Sequence, residues 1–155
     1  MMETREEKRP LGTVLLVITL AFYGVMGVVS GIILIADPSG AGMGFTSDIR
    51  DNIPFQSFLP VGMFLLTVFG LVPLLLAIGA ITKKEMAFEK ISEMSGYHWS
   101  WTGGMLLIAT LVGWLALEGM LIGLDYAATY MTVIMGGAVF VALVLPSTRR
   151  FYRRS

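Results

Sequence analysis

The chain has no cysteine and only one histidine, His98, in 155 residues. Without cysteine there is no disulfide, thiolate nucleophile or thiolate metal site. A single histidine rules out bis-histidine haem ligation within the chain and leaves a histidine-based zinc site without its ligands. Neither metal nor cofactor is expected. Charge is also scarce, at 14% of residues against about 25% in ordinary soluble domains. It sums to zero, and no nucleic-acid partner is expected. The hydroxyls of Ser30, Thr67 and Thr110 lie in apolar runs without a basic residue, so a serine hydrolase would lack its base.

What the chain has instead is apolar length. Hydrophobic residues make up 55% of it and mean hydropathy is +0.77. At ~20 residues per crossing the length accommodates about four spans. The expected fold class is all-α, a four-helix transmembrane bundle in a lipid bilayer. Spans are expected over 11–36, 58–82, 101–124 and 129–146, in one membrane domain covering 1–155. A long outer loop, 37–57, joins helices 1 and 2, and a cytoplasmic connection, 83–100, joins helices 2 and 3.

The run from Leu11 to Ala36 is uncharged and ends without a small-x-small cleavage site, so it reads as a permanent span, not a signal peptide. Pro73 removes one backbone donor from the second span and is expected to kink it. In the charged connection, Met86, Lys90 and Met94 follow one helical edge and Glu85, Glu89 and Glu93 another, which would extend the second helix into water until Gly96 stops it. Tyr97, His98, Trp99 and Trp101 form an aromatic cluster expected at the headgroup level, with His98 solvated. In the outer loop, Ser47 and Asp48 are placed to open a short surface helix.

Basic residues set the expected orientation. Arg5, Lys8 and Arg9 precede the first span; Lys83, Lys84 and Lys90 lie between the second and third; Arg149, Arg150, Arg153 and Arg154 follow the fourth. Only Arg50 falls on the other side, a bias of ten to one. The positive-inside rule then puts both termini in the cytoplasm of a cell carrying this chain in its plasma membrane.

Glu118 is the candidate functional residue, because a carboxylate within a span is expensive. If the third span reaches Leu124, Glu118 lies on the order of 10 Å below the outer helix end, with Trp114 one turn deeper and Asp125 on nearly the same face two turns on. Two readings stand: a glutamic acid that hydrogen-bonds helices together, or a site for a proton, a cation or a polar ligand. Asp37, Asp48, Asp51 and Asp125, with Arg50 as the nearest counter-charge, make the outer face acidic, but their spacing matches no EF-hand and suits turns and caps. Gly27-x-x-x-Gly31 and Gly119-x-x-x-Gly123 mark close helix packing. The simplest arrangement packs these two stripes together within one chain; a homo-oligomer seam is the other. The segments SGIILIAD and EGMLIGLD echo each other, as a duplicated two-helix unit would.

The stretches GIILIADPSGAGMG, PFQSFLPVGMFLLTVFG and GWLALEG together resemble a group of small four-span prokaryotic integral membrane proteins without established activity. The resemblance rests on the DPSG turn and the PF to PG run; it implies the four-span fold and supplies no chemistry. The expected role is a non-enzymatic accessory or binding module, with a polar pocket between Glu118, Trp114 and the outer loop and with a membrane-protein partner or a second copy as associates. The alternative is an oligomeric transporter or channel that uses Glu118 for protons or cations.

Overall fold

Four long helices dominate the computed structural model, which describes residues 9–85 and 88–154. α1 (Leu11–Ala36), α3 (Leu59–Thr82), α5 (Trp99–Leu121) and α6 (Ala127–Val144) are each long and apolar enough to cross a bilayer, and the chain is a multi-pass membrane protein. Three short helices accompany them: α2 (Ser47–Asn52), α4 (Glu89–Ser95) and α7 (Pro146–Tyr152). No strand occurs among the described residues. The spans form a ring in the order α1, α3, α5, α6, and α6 packs back on α1. Both described chain ends thus lie at one end of the bundle, the terminus end, and residues 37–58 lie at the other, the loop end.

The packing of α1 shows why hydropathy alone cannot separate inside from outside. Its lipid-facing side is large and branched, with Val14, Ile18, Phe22, Val25, Val29 and Ile32 exposed. Its interior side is largely small, including Gly12, Gly24, Gly27 and Gly31. Both faces are apolar; they differ in size, as expected where lipid tails are as greasy as leucine and only close approach gains contact energy.

The glycine stripe of α1 meets α3, not α5. A Cβ at Gly27 would collide with the Phe69 carbonyl and the Gly70 nitrogen, and one at Gly31 with the Leu66 backbone. α3 returns the fit: a Cβ at Gly62 would lie 2.9 Å from Cβ of Leu34. Gly119 and Gly123 do not join this seam. Gly119 faces only the Leu124 side chain, and Gly123 has φ +86° and forms the turn that ends α5. The expected pairing of the two stripes is therefore corrected: one is a packing face, the other a helix stop and its neighbour. The SGIILIAD and EGMLIGLD segments have no common structural role, because Gly31 is packed and Gly119 is open.

Within α3, residues Leu65–Leu71 form a π-helical segment two residues before Pro73. Proline has no N–H to give, and widening the preceding turn is one way a membrane helix absorbs that loss. The segment lies on the glycine face of α1, where Gly27 leaves room for the Phe69 carbonyl to lean across, a contact that Cα–H donors stabilise weakly.

The terminus end is densely packed and tied together by long-range hydrogen bonds. Leu16, Leu20, Val139 and Leu143 are fully buried there. The Tyr152 hydroxyl donates to the Ala80 carbonyl at 2.8 Å, the Trp101 indole to Leu143 at 3.0 Å and the Trp99 indole to Lys84 at 2.8 Å. His98 N–H donates to Tyr152 O at 2.8 Å, and Arg154 N–H to Gly96 O at 3.0 Å, so the chain after α7 is stitched to the turn before α5.

Three expectations change here. α3 does not run on into the charged connection, because Lys83 takes φ +52° and ends it, its ammonium resting 3.3 Å over the Phe151 ring. A separate helix, α4, follows and stops at Gly96, with φ +70°; Met86 lies outside the described residues. His98 is not solvated but 7% exposed. Its Nδ1 lies 2.7 Å from Ser100 Oγ and accepts from Ser100 N–H at 3.3 Å, capping α5 at Trp99, two residues earlier than expected. Burial lowers the histidine's pKa, against the opposing pull of the Glu85 carboxylate, because a charged imidazolium would be stripped of water there.

Candidate functional site

At the loop end the four spans enclose a cavity of ≈ 560 Å³, within the range of small-molecule sites. It exists because α5 follows the backbone of α3 closely only along Val72–Thr82. Toward the loop the gap between them is bridged by ring on ring. Phe64 stacks on Trp114 at 4.9 Å, and Phe69 meets Trp114 and Tyr23 edge-on at 6.4 and 5.8 Å. Tyr23, Phe69 and Trp114 floor the cavity. Tyr23 is 4% exposed, and its hydroxyl has no hydrogen-bond partner among the described residues.

The roof is the outer loop. Asp37 organises its first turn: Oδ1 accepts from Ser39 N–H and Oγ–H, at 3.1 and 2.6 Å, and Oδ2 accepts from Gly42 N–H at 3.0 Å. These bonds, the Ser39 hydroxyl first, hold the carboxyl below its usual pKa. Gly40, at φ +81°, turns the chain where a side chain would strike the Phe58 ring. Phe45 then stacks on Phe58 at 4.7 Å and meets Tyr126 edge-on at 5.5 Å, with Leu34, Ile53 and Phe58 buried beneath. α2 begins at Ser47, after Thr46 as N-cap. Phe55 sits at the edge of the cavity with φ +70° and 84% of its surface exposed, an unfavourable backbone for a bulky residue.

Among the described residues lining the cavity, Glu118 is the one with an acidic or basic side chain. It is half-buried, and Thr129, in the first turn of α6, donates its hydroxyl to Glu118 Oε1. The tight Ile122–Tyr126 connection brings the two residues together, and the Ile122 and Gly123 N–H groups close on the Glu118 carbonyl at 2.9 and 3.2 Å. Because α5 ends at Leu121 and not at Leu124, Glu118 is only about 5 Å from the helix end, at ~1.5 Å per residue. A carboxylate near a span's end is far cheaper to keep than one at the bilayer midplane.

Of the residues singled out from sequence, the structure places Glu118 and Trp114 in the cavity, and leaves Asp37, Arg50 and Asp125 outside its lining. Asp37 is spent on its turn. Asp125 accepts from the Tyr130 hydroxyl at 2.7 Å and does not share a helix face with Glu118, because the helix has already stopped. Arg50 closes the last turn of α2. Among the described residues no three acidic, histidine or cysteine side chains converge.

Sequence reading missed Tyr23, Phe69 and Thr129. Tyr23 carried one signal, a phenol inside an uncharged run; Thr129 carried none, since its pairing with Glu118 depends on where the turn falls. The arrangement can hold an apolar body against aromatic rings and read one polar group at the Glu118–Thr129 pair. No protein-family model, curated protein or solved structure matches the chain.

Proposed function

We propose that the chain is a non-enzymatic binding module of the plasma membrane, with both termini in the cytoplasm, that holds one lipid-soluble molecule in the loop-end cavity. The observation that carries this reading is a largely apolar chamber of ≈ 560 Å³ with a single carboxylate at its rim. Apolar walls favour a hydrocarbon-rich ligand at ~25 cal/mol per Å² removed from water or headgroups. The Glu118–Thr129 pair favours a ligand whose polar end donates a hydrogen bond or carries a positive charge. The ten-to-one distribution of basic residues supports the orientation, which opens the cavity toward the outer leaflet. The resemblance to small four-span prokaryotic membrane proteins is consistent with an accessory role.

A proton- or cation-coupled transporter is the weaker reading. It needs a polar route past Glu118, and beneath the aromatic floor lie Leu16, Leu20, Val139 and Leu143, all fully buried.

Native mass spectrometry of the full chain, released from its own membranes, tests the proposal. The expected result is one retained lipid-soluble adduct per chain, lost in Ala128→Phe, which fills the cavity, and weakened about tenfold, or ~1.4 kcal/mol, in Glu118→Gln. Absence of any adduct, or retention unchanged in both variants, overturns it. A proton flux in liposomes that Glu118→Gln abolishes would favour the transporter.

A further inference from the structure

A second concavity lies at the terminus end, with a volume of ≈ 210 Å³, lined by Tyr97, Pro146, Arg149, Arg150 and Arg153. The positive-inside rule asks only that basic residues lie on one side of the membrane; it does not ask that three arginines line one hollow. Their backbone is held in place. Pro146 opens α7, Tyr97 and Arg153 pair as an isolated antiparallel bridge, and the neighbouring His98–Tyr152 and Arg154–Gly96 hydrogen bonds hold the segment on both sides. Arg149 and Arg153 are four residues apart, one helical turn. Among the described residues the one ion pair is Arg154 with Glu85, at 3.9 Å, and it involves none of the three.

The hollow lies just beyond the terminus end of α6, between that span and the chain before α5. Tyr97 stacks on Trp101 at 4.2 Å, the aromatic arrangement of a membrane–water interface. α6 ends just before it, and its last turns leave Phe140, Val141 and Val144 exposed as a surface on which acyl chains can lie. Among the described residues no carboxylate pairs with these three arginines, and arginine's planar fork matches phosphate oxygens two at a time.

From these observations we infer that Tyr97, Arg149, Arg150 and Arg153 form a binding site for the phosphate of an anionic phospholipid, its chains lying along the exposed end of α6. The site is independent of the loop-end cavity and of whatever that cavity holds.

The test uses the full chain, purified in neutral detergent and titrated with phosphatidylglycerol or phosphatidylcholine under native mass spectrometry. The wild-type chain should retain phosphatidylglycerol at least tenfold more tightly than phosphatidylcholine. Arg149→Gln with Arg153→Gln should remove that preference, whereas Arg154→Gln, an arginine outside the hollow, should preserve it. Should the glutamine pair fail to fold, Arg149→Lys with Arg153→Lys keeps the charge but loses the fork, and should lower the preference several-fold. Equal retention of the two lipids by the wild-type chain overturns the inference. So does an equal loss in Arg154→Gln, which would mark a diffuse charge effect. If millimolar inorganic phosphate displaces the lipid, or binds alone with the same arginine dependence, the hollow takes a free anion and the lipid assignment fails.

Discussion

The two ends of this bundle are made from the same kinds of residue and reach opposite results. At the terminus end, side chains fill the gaps that glycines leave, indole and phenol donors find carbonyls across the bundle, and Leu16, Leu20, Val139 and Leu143 have no exposed surface. At the loop end α3 and α5 are bridged by rings, and ≈ 560 Å³ stays open among greasy walls. Around α5 the difference lies in where small residues sit. Gly104 lets the Leu143 side chain approach α5, and Gly79 receives the Trp99 ring; near the cavity Gly119 and Gly113 point away from other helices. In a membrane, hydrophobicity holds a helix in the bilayer, while side-chain size decides whether two helices touch.

That comparison can be broken most directly at the α1–α3 seam. Gly27→Leu forces a side chain into the Phe69 and Gly70 backbone, which cannot step aside, and should cost more than about 3 kcal/mol. Gly119→Leu, facing a single flexible leucine, should stay within about 0.5 kcal/mol. Thermal unfolding in detergent, followed by tryptophan fluorescence, compares the two; equal losses would mean that the stripes are equivalent after all.

A second pair sets the two halves side by side. Ala142→Leu overfills the packed end, where Ala142 is 2% exposed, and should destabilise by up to about 3 kcal/mol. Ala128→Leu enters the open cavity and should change stability by less than about 0.5 kcal/mol. The same melts check this, and a large loss in Ala128→Leu would show that the chamber is not tolerant space.

Next comes the hydrogen bond from Tyr152 to Ala80. Tyr152→Phe leaves that carbonyl without its donor and should cost about 1 to 2 kcal/mol. Burial also pushes the phenol from 10.0 up to about 12. The raised folded-state value means that this contribution is complete below pH 10 and fades as pH climbs toward 12. Melts recorded across that window should fall more steeply for the wild-type chain than for Tyr152→Phe.

The smallest effect belongs to His98. Its pKa is depressed in the folded chain by burial, with the Glu85 charge pulling it up and the Lys83 charge pushing it down, and with Tyr152 packed at 5.9 Å. The neutral imidazole therefore stabilises the fold above pH 6.5, and that stability is lost as pH falls below it. His98→Asn, which keeps a capping acceptor for Ser100, should flatten the fall; hydrogen exchange at Trp99 to Thr102 reports it.

Much of the frame was legible from residue order. α1 could be bounded because Pro10 and Asp37 flank an uncharged run, and four spans followed from apolar length alone. The second span ended at Thr82 as expected, and other helix ends shifted by one to three residues, three of them where a local bond or turn decided the end: His98 capping Ser100, Ser57 Oγ accepting Leu59 N–H at 3.2 Å, and Gly123 turning the chain before Leu124. Those shifts are small in sequence and large in consequence, because ending α5 at Leu121 halves the distance of Glu118 from the helix end, from about 10 to about 5 Å, and separates it from Asp125. Partner choice among helices was not legible. Gly27 and Gly119 have the same spacing to their next glycine, and only the opposing backbone tells a seam from a turn. The burial of His98 was hidden for a related reason, since its lid, Tyr152, lies fifty-four positions away and belongs to a segment that reads as a charged tail.

The widened turn at Leu65–Leu71 makes α3 two rods with separate phases joined by a spare residue. Deleting one position there would let an ordinary 3.6-residue spiral run through with the faces of both rods preserved. Closing the turn with the residue kept would instead rotate everything from Leu59 to Phe64 by roughly 100°, and Phe64 would leave Trp114 for the hydrocarbon. The chamber's shape thus depends on one extra residue being held in a wide turn.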